Sequence, residues 1–435
     1  MTPSAVRSTN IEPRLRNKGS RNNHMSNETA AAFSLLSAAA VRERSQRMLA
    51  LALDDKLANF TVDLSLLDAT ADRVIATTRQ AYPSLDVPFH SRWRHFVVDG
   101  SDRFEAIAKN ARWRDPAARG RAMFDLAIVS VFLDAGAGTQ WSYLDKTTDK
   151  RIGRSEGLAL ASLDMFARGV FSTDRADPFR VDAVALSSLS ADQLRDGFQV
   201  TADNPLVGIE GRAALLRALG TLVGENSGVF ARDDSPRPGG LFDHLAGLAD
   251  GTSIAAPEIL SELLHELGPI WPSRISLGGI PLGDCWRHPA MTTADATSDL
   301  VPLHKLSQWL AYSLIEPLQQ AGFTVTDIDG LTGLAEYRNG GLFVDAGVLN
   351  LRDPAQAERQ HPVDSELVVE WRSLTVALLD KLAAVIRQKL SMDAQSLPLA
   401  KILEGGTWAT GRILAREKRA DGSPPIKVIS DGTVF

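Results

Sequence analysis

Glu366-Leu367-Val368-Val369-Glu370-Trp371-Arg372-Ser373-Leu374-Thr375-Val376-Ala377-Leu378-Leu379-Asp380-Lys381-Leu382-Ala383-Ala384-Val385 sets Leu367, Trp371, Leu374, Leu378, Leu382 and Val385 at steps of three and four. That spacing puts them on one stripe of a long helix. Asp364 and Glu366 stand at its start and Arg387 and Lys389 near its end, the order that suits a helix dipole.

Outward from this helix the pattern repeats. Residues Arg121–Leu133 are apolar almost all round, as in a buried helix, and Gly136 and Gly138 end it. The fold class expected is mainly α, a multi-helix globular fold, with a small C-terminal β-hairpin over Ile426–Phe435 turning at Asp431-Gly432. Breaks rich in Pro, Gly and Asp at Tyr82–Pro88, Asp233–Gly240, Gly278–Gly283 and Asp421–Pro425 read as loops. None resembles a flexible linker, so residues 32–435 are expected to form a single large helical unit, with 200–240 the place where a subdomain boundary would fall.

Composition narrows the function classes. The chain has 435 residues, enough for a large core, and its 47 basic and 53 acidic residues are well mixed. No extended basic face follows, which disfavours a nucleic-acid polymer as partner. One cysteine, Cys285, excludes an internal disulfide and any cysteine-rich metal cluster, and fits a cytoplasmic protein. No segment has the roughly 18 apolar residues that span a bilayer, so no membrane partner is expected. Residues 1–31 read as a disordered or mis-annotated extension: Arg7, Arg14, Arg16, Lys18 and Arg21 lack the apolar core of a secretory signal, and Met25 is an alternative start.

The densest chemistry lies in Asp327-Ile328-Asp329-Gly330-Leu331-Thr332-Gly333-Leu334-Ala335-Glu336-Tyr337-Arg338-Asn339. Asp329 would cap a helix beginning near Leu331, and Asp327 would shape the turn before it. Glu336 follows apolar Leu334 and precedes Tyr337-Arg338, so it is either a functional carboxylate or one salt-bridged to Arg338 or Arg372. Lys305 lies among apolar turns and would reach either a ligand or solvent. The loop Asp284-Cys285-Trp286-Arg287-His288-Pro289 offers Trp286 for stacking and Arg287 or His288 for a phosphate. Cys285 with His288 or His304 as base would be a nucleophile, but a lone cysteine is more often a small buried hydrophobe. His265-Glu266-Leu267-Gly268-Pro269 lacks the second histidine of a zinc helix, and neither a phosphate-binding loop nor a dinucleotide fingerprint occurs, so no metal and no cofactor are expected. Glu366 and Glu370, at i and i+4, call for a cation or a substrate hydroxyl between them, with Arg338 or Lys305 the expected partner.

Six separated stretches resemble the uracil-catabolism protein four (Urg-three) family, long carried as a domain of unknown function. They are Phe89–Phe96, Ser155–Phe166, Gly283–Pro289, His304–Trp309, Asp364–Arg372 and Glu404–Trp408. The 327–339 segment also resembles the signature of the queuosine-salvage N-glycosylases, all-helical relatives of DNA glycosylases. That resemblance implies a helical DNA-glycosylase-like architecture, with Glu336 at the catalytic aspartate position and Lys305 at that of a substrate-contacting lysine. Glu336 is one methylene longer than the family's aspartate, which would suit a smaller leaving group.

Taken together, the resemblances imply a hydrolase of pyrimidine degradation, an N-glycosidase that splits ribosylurea or its 5′-phosphate into urea and ribose or ribose 5-phosphate. Cutting an N-glycosidic bond needs a carboxylate near the anomeric carbon and a group that handles water. Glu336, Lys305 and Asp329 would be catalytic. Asp327, Tyr337, Arg338, Asp284, Trp286, Arg287, His288, His304, Glu370 and Arg372 would surround a small ribosyl substrate. Urea leaves poorly without a proton, and Tyr337, His288 or Asp327 could supply it. The alternatives are an amidohydrolase acting on a ureido bond through Cys285 or a metal, and a non-catalytic pathway partner. The oligomeric state stays open, a homo-oligomer included.

Overall fold

The computed structural model describes residues 26–134, 136–138, 140–231, 235–271 and 274–429. The expected tail through residue 24, the start at Met25 and the Asp431-Gly432 turn lie outside them. A helix at Asn27–Leu35, capped by Ser26, occupies the end of the stretch read as an extension.

The helix expected from the 366–385 pattern runs Glu366–Leu390, with the Ser365 side chain accepting from Val368 N–H as its N-cap. It is set deeper than a single stripe requires, because every residue from Leu367 to Leu379 is buried. A solvent face opens only further on, at Lys381, Ala384, Gln388 and Lys389. The cause is that helices Ala38–Leu53, Leu67–Ala81 and Tyr337–Asp345 all pack against it. A helix buried on all sides must pair its polar groups, and Glu370 and Arg372 lie within the enclosed half.

A second buried helix, Pro116–Phe132, matches the 121–133 reading and ends at Leu133. It is enclosed by helices Arg154–Ala167, Gly240–Leu248 and Lys305–Gln320. The buried apolar residues form one contiguous cluster from Ala32 to Ile426, continuous through Leu206, Ile209, Leu216 and Leu219.

Strands are short and, among the described residues, pair only in twos. Ser276–Leu277 and Ile280–Pro281 form a hairpin whose two turn residues, Gly278 and Gly279, both have positive φ, as a tight two-residue turn demands. Cys285–Arg287 pairs antiparallel with Leu300–Pro302. The described part of the expected C-terminal hairpin, Lys427–Ile429, is a strand, and it pairs in parallel with Gln360–Pro362. Ile426, 1% exposed, anchors it there. Among the described residues no helix is long and apolar enough to cross a membrane.

Candidate active site

The helix expected to begin near Leu331 begins six residues later. After a single 3-10 turn at Ile328–Gly330, the chain passes through a buried run with no regular structure, and Glu336 becomes the N-cap of Tyr337–Asp345. Gln308 Nε2 donates to Thr332 Oγ1 at 2.7 Å and the Tyr312 hydroxyl to the Thr332 carbonyl at 2.9 Å, which fixes that run. Glu336 Oε2 accepts from Arg338 N–H at 2.7 Å and Oε1 from Asn339 N–H at 2.5 Å. The positive end of a helix dipole favours an anion there. The residue is only 8% exposed. Burial raises its carboxyl above the ordinary value, against those two N–H bonds and the charges of Lys305 and His90. Neither salt bridge weighed from the sequence exists: Arg338 Nη1 donates to the Gly422 carbonyl, and Arg372 pairs with Asp284.

Asp284 and Arg372 act as a brace. Both side chains are buried and joined by two bonds of 2.8 Å. Asp284 also accepts from the Trp286 indole N–H at 2.6 Å and from Lys305 N–H at 2.9 Å. Arg372 Nε donates to the carbonyl of Ala335, the residue before Glu336. One ion pair thus ties the first turn of Lys305–Gln320, the long helix and the approach to Glu336 together. Burial alone would raise the Asp284 carboxyl, but Arg372 and these N–H donors hold it below the ordinary value. The Lys305 ammonium is half-buried, makes no hydrogen bond or ion pair with any described residue, and acts on Glu336 through its charge.

Other candidates lie elsewhere. Asp329 is committed to Arg387 at 2.5 Å and to Leu399 N–H at 2.6 Å, tying the long helix to the 399–402 segment. Asp327 is exposed, with positive φ. Trp286 belongs to the core and lies under Arg274, while Arg287 points outward to Asp299. His304 is buried with Nε2 3.0 Å from the Leu35 carbonyl, and burial lowers its pKa. Tyr337 lies against Arg338, with burial and the Glu336 charge raising its hydroxyl pKa.

The partner of Glu370 is neither Arg338 nor Lys305. Its carboxylate accepts from Asn59 N and Nδ2 and sits 3.2 Å from His288 Nε2, with Glu366 at 3.9 Å from the same nitrogen. These three side chains have the donor types of a metal site, but the histidine is turned the wrong way. Its Nδ1 accepts from Ala290 N–H, so Nε2 carries the proton, whereas a ligating imidazole frees that nitrogen and donates from the other.

Cys285 is buried, and burial followed by the Asp284 charge pushes its thiol up to about 12. A thiol this far from ionisation is inert. Iodoacetamide at neutral pH should leave it unmodified in the native protein and label it fully in denaturant, as read by intact mass. Rapid native labelling would contradict the burial.

The sequence reading gave no role to His90, Trp309 or Glu404, although each lies in a stretch that carries the family resemblance. His90 Nδ1 is 2.8 Å from Glu404 Oε2. The larger of the two most prominent cavities, about 780 Å³, is lined by Arg112, Trp113, Arg114, Arg121 and Arg237 and includes none of these groups. The smaller, about 20 Å³ beside Asp284, His304 and Ser307, has room for roughly one water.

Residues 34–435 match the family model described as "Protein of unknown function (DUF1688)". Among similar proteins, "Protein urg3" of Schizosaccharomyces pombe is 40% identical over 421 residues, covering 94% of this chain and 100% of the relative. "Uracil catabolism protein 4" of Lachancea kluyveri is 38% identical over 411 residues, covering 87% and 92% respectively.

Proposed function

The chain belongs to the DUF1688 family, and from that membership and the surroundings of Glu336 we propose that it is a hydrolase of uracil catabolism cleaving an N-glycosyl bond. The substrate is ribosylurea or its 5′-phosphate, and the products are urea and ribose or ribose 5-phosphate. The pathway rests on the name of the Lachancea kluyveri relative. The chemistry rests on one observation: a buried carboxylate, fixed at a helix N-terminus and unpaired by any cation within ion-pair distance among the described residues, faces the charge of a lysine that has no other partner.

That arrangement suits an oxocarbenium-like transition state. A preorganised carboxylate in a water-poor setting stabilises developing positive charge far better than water does. Two backbone N–H groups hold Glu336 still, so no reorganisation is needed as charge develops. Lys305 is placed to hold sugar or phosphate oxygens, and the Asp284–Arg372 pair positions both. Asp329 has a structural role in this reading.

The amidohydrolase alternative fares less well at the 284–289 loop, where the Cys285 thiol is buried and un-ionised and His288 is turned away from metal binding. NMR of purified protein with ribosylurea, with and without a 5′-phosphate, tests the reading. Urea and the ribose sugar are expected in equal amounts; ammonia release with the glycosidic bond intact would overturn it.

A further inference from the structure

Two stretches so far without a role meet beside Glu336. His90 comes from the loop before the Arg92–Phe96 turn, its backbone N–H held by the Ala400 carbonyl at 2.9 Å. Glu404 comes from a π-type bulge at Leu403–Thr407, a widened turn that recurs at functional sites because it re-aims side chains. The bulge seats on the Leu67–Ala81 helix only because two of its residues lack side chains. A Cβ on Gly405 would lie 2.8 Å from Thr78, and one on Gly406 2.5 Å from Thr78 and Val74.

The bulge is also tied directly to Glu336. Thr407 Oγ1 donates to Asn339 Oδ1 at 2.8 Å, and the Asn339 backbone N–H is one of the two that hold Glu336. On the other side stands Trp309, one helical turn beyond Lys305, with its ring 6.4 Å from that of His90. Trp309 is 5% exposed, and its indole N–H has no acceptor among the described residues. A buried donor without a partner carries a desolvation cost, which a ligand oxygen would remove. His90 is likewise half-used. With Nδ1–H donated to the Glu404 carboxylate, its Nε2 has no hydrogen-bond partner among the described residues.

We propose that His90, oriented by Glu404, is the acid that protonates the departing nitrogen, and that the Trp309 indole N–H binds the oxygen of the same leaving group. The proposal rests on the N-glycosidase reading of Glu336. As the bond from C1′ to nitrogen breaks, its electron pair goes to nitrogen, which takes the proton on His90 Nε2. Water adds its oxygen to C1′ and gives a proton to Glu336. That proton returns to His90 through solvent, so each turnover consumes one water and releases urea and ribose.

A leaving group that departs without a proton separates this role from a structural one. Wild type, His90→Gln, Glu404→Gln and Glu336→Gln would be assayed on ribosylurea and on ribosyl azide, whose azide is a small, stable anion. His90→Gln is expected to lower kcat/KM on ribosylurea by about 100-fold or more, the scale of general acid catalysis, and on ribosyl azide by less than about 10-fold. Glu404→Gln, which keeps a hydrogen bond to His90, should show the same selectivity with a smaller loss, and Glu336→Gln should fall on both substrates. Equal losses on the two substrates for His90→Gln, or a wild-type rate on ribosylurea, would overturn the role of His90 while leaving Glu336 in place. Failure of wild type on both substrates would overturn the glycosidase reading itself and the acid with it.

Discussion

Glu336→Gln is expected to lower kcat on ribosylurea by about a thousandfold, the scale seen when one preorganised transition-state contact is removed. Melting should change little. The amide offers one oxygen where the carboxylate offered two, so one of the Arg338 and Asn339 N–H groups loses its acceptor, at about 1 kcal/mol. Set against that loss, the amide removes a charge that burial disfavours. For an acid raised in the folded state, the unfolded chain ionises first, so stability is lost as pH rises through the interval above the ordinary glutamate value of about 4.3. Above that interval the glutamine variant is spared the penalty. Activity has the opposite sign, because the ionised form is the one that stabilises an oxocarbenium. The acid limb of kcat/KM should therefore lie above about pH 4.3 and disappear in the variant. An unchanged pH profile with full turnover would remove Glu336 from the site.

Arg372→Leu is expected to be the most destabilising single change near the site, by about 3–5 kcal/mol in chemical denaturation at neutral pH. The substitution leaves Asp284 buried with only the Trp286 and Lys305 N–H donors and releases the Ala335 carbonyl before Glu336. A pH series checks the cause. In wild type the Asp284 carboxyl is held below its ordinary value, so its contribution is fully present above about pH 3.9 and is lost as pH falls through the folded value. Without Arg372, burial governs Asp284 and favours the protonated form. The gap between wild type and variant should therefore narrow in acid, and Asp284→Asn in the variant background should recover part of the loss at neutral pH. A loss independent of pH and insensitive to Asp284→Asn would point instead to packing around the long helix.

Several features could be read from residue order alone because their cause is local. The spacing from Leu367 to Val385 gave the long helix and the order of its end charges. The apolar run 121–133 gave a second buried helix, and Gly278–Gly283 read as a loop, within which the structure places a tight hairpin turn. Glu336 and Lys305 stood out through composition and resemblance, and the fold brings their charges into mutual reach. The six stretches of resemblance included His90 and Glu404, but nothing in their spacing said that they touch.

What residue order could not supply was the partner of each charged group. Asp329 and Glu336 are both carboxylates, seven positions apart, yet one is consumed by Arg387 and the other lies buried without an ion pair. Arg372 was read as a substrate contact and is a brace for Asp284; Glu370 was given to a lysine or arginine and belongs to His288 and Asn59. These outcomes depend on side chains 58 to 311 positions apart, and on burial, which decides whether a carboxylate is a solvated cap or a desolvated one. The sequence by itself determined the helical class, the family and the short stretches where chemistry is concentrated, because periodicity and local composition are properties of neighbouring residues. Only the tertiary structure decided which carboxylate is left buried without an ion pair, because pairing and desolvation are properties of residues that meet in space.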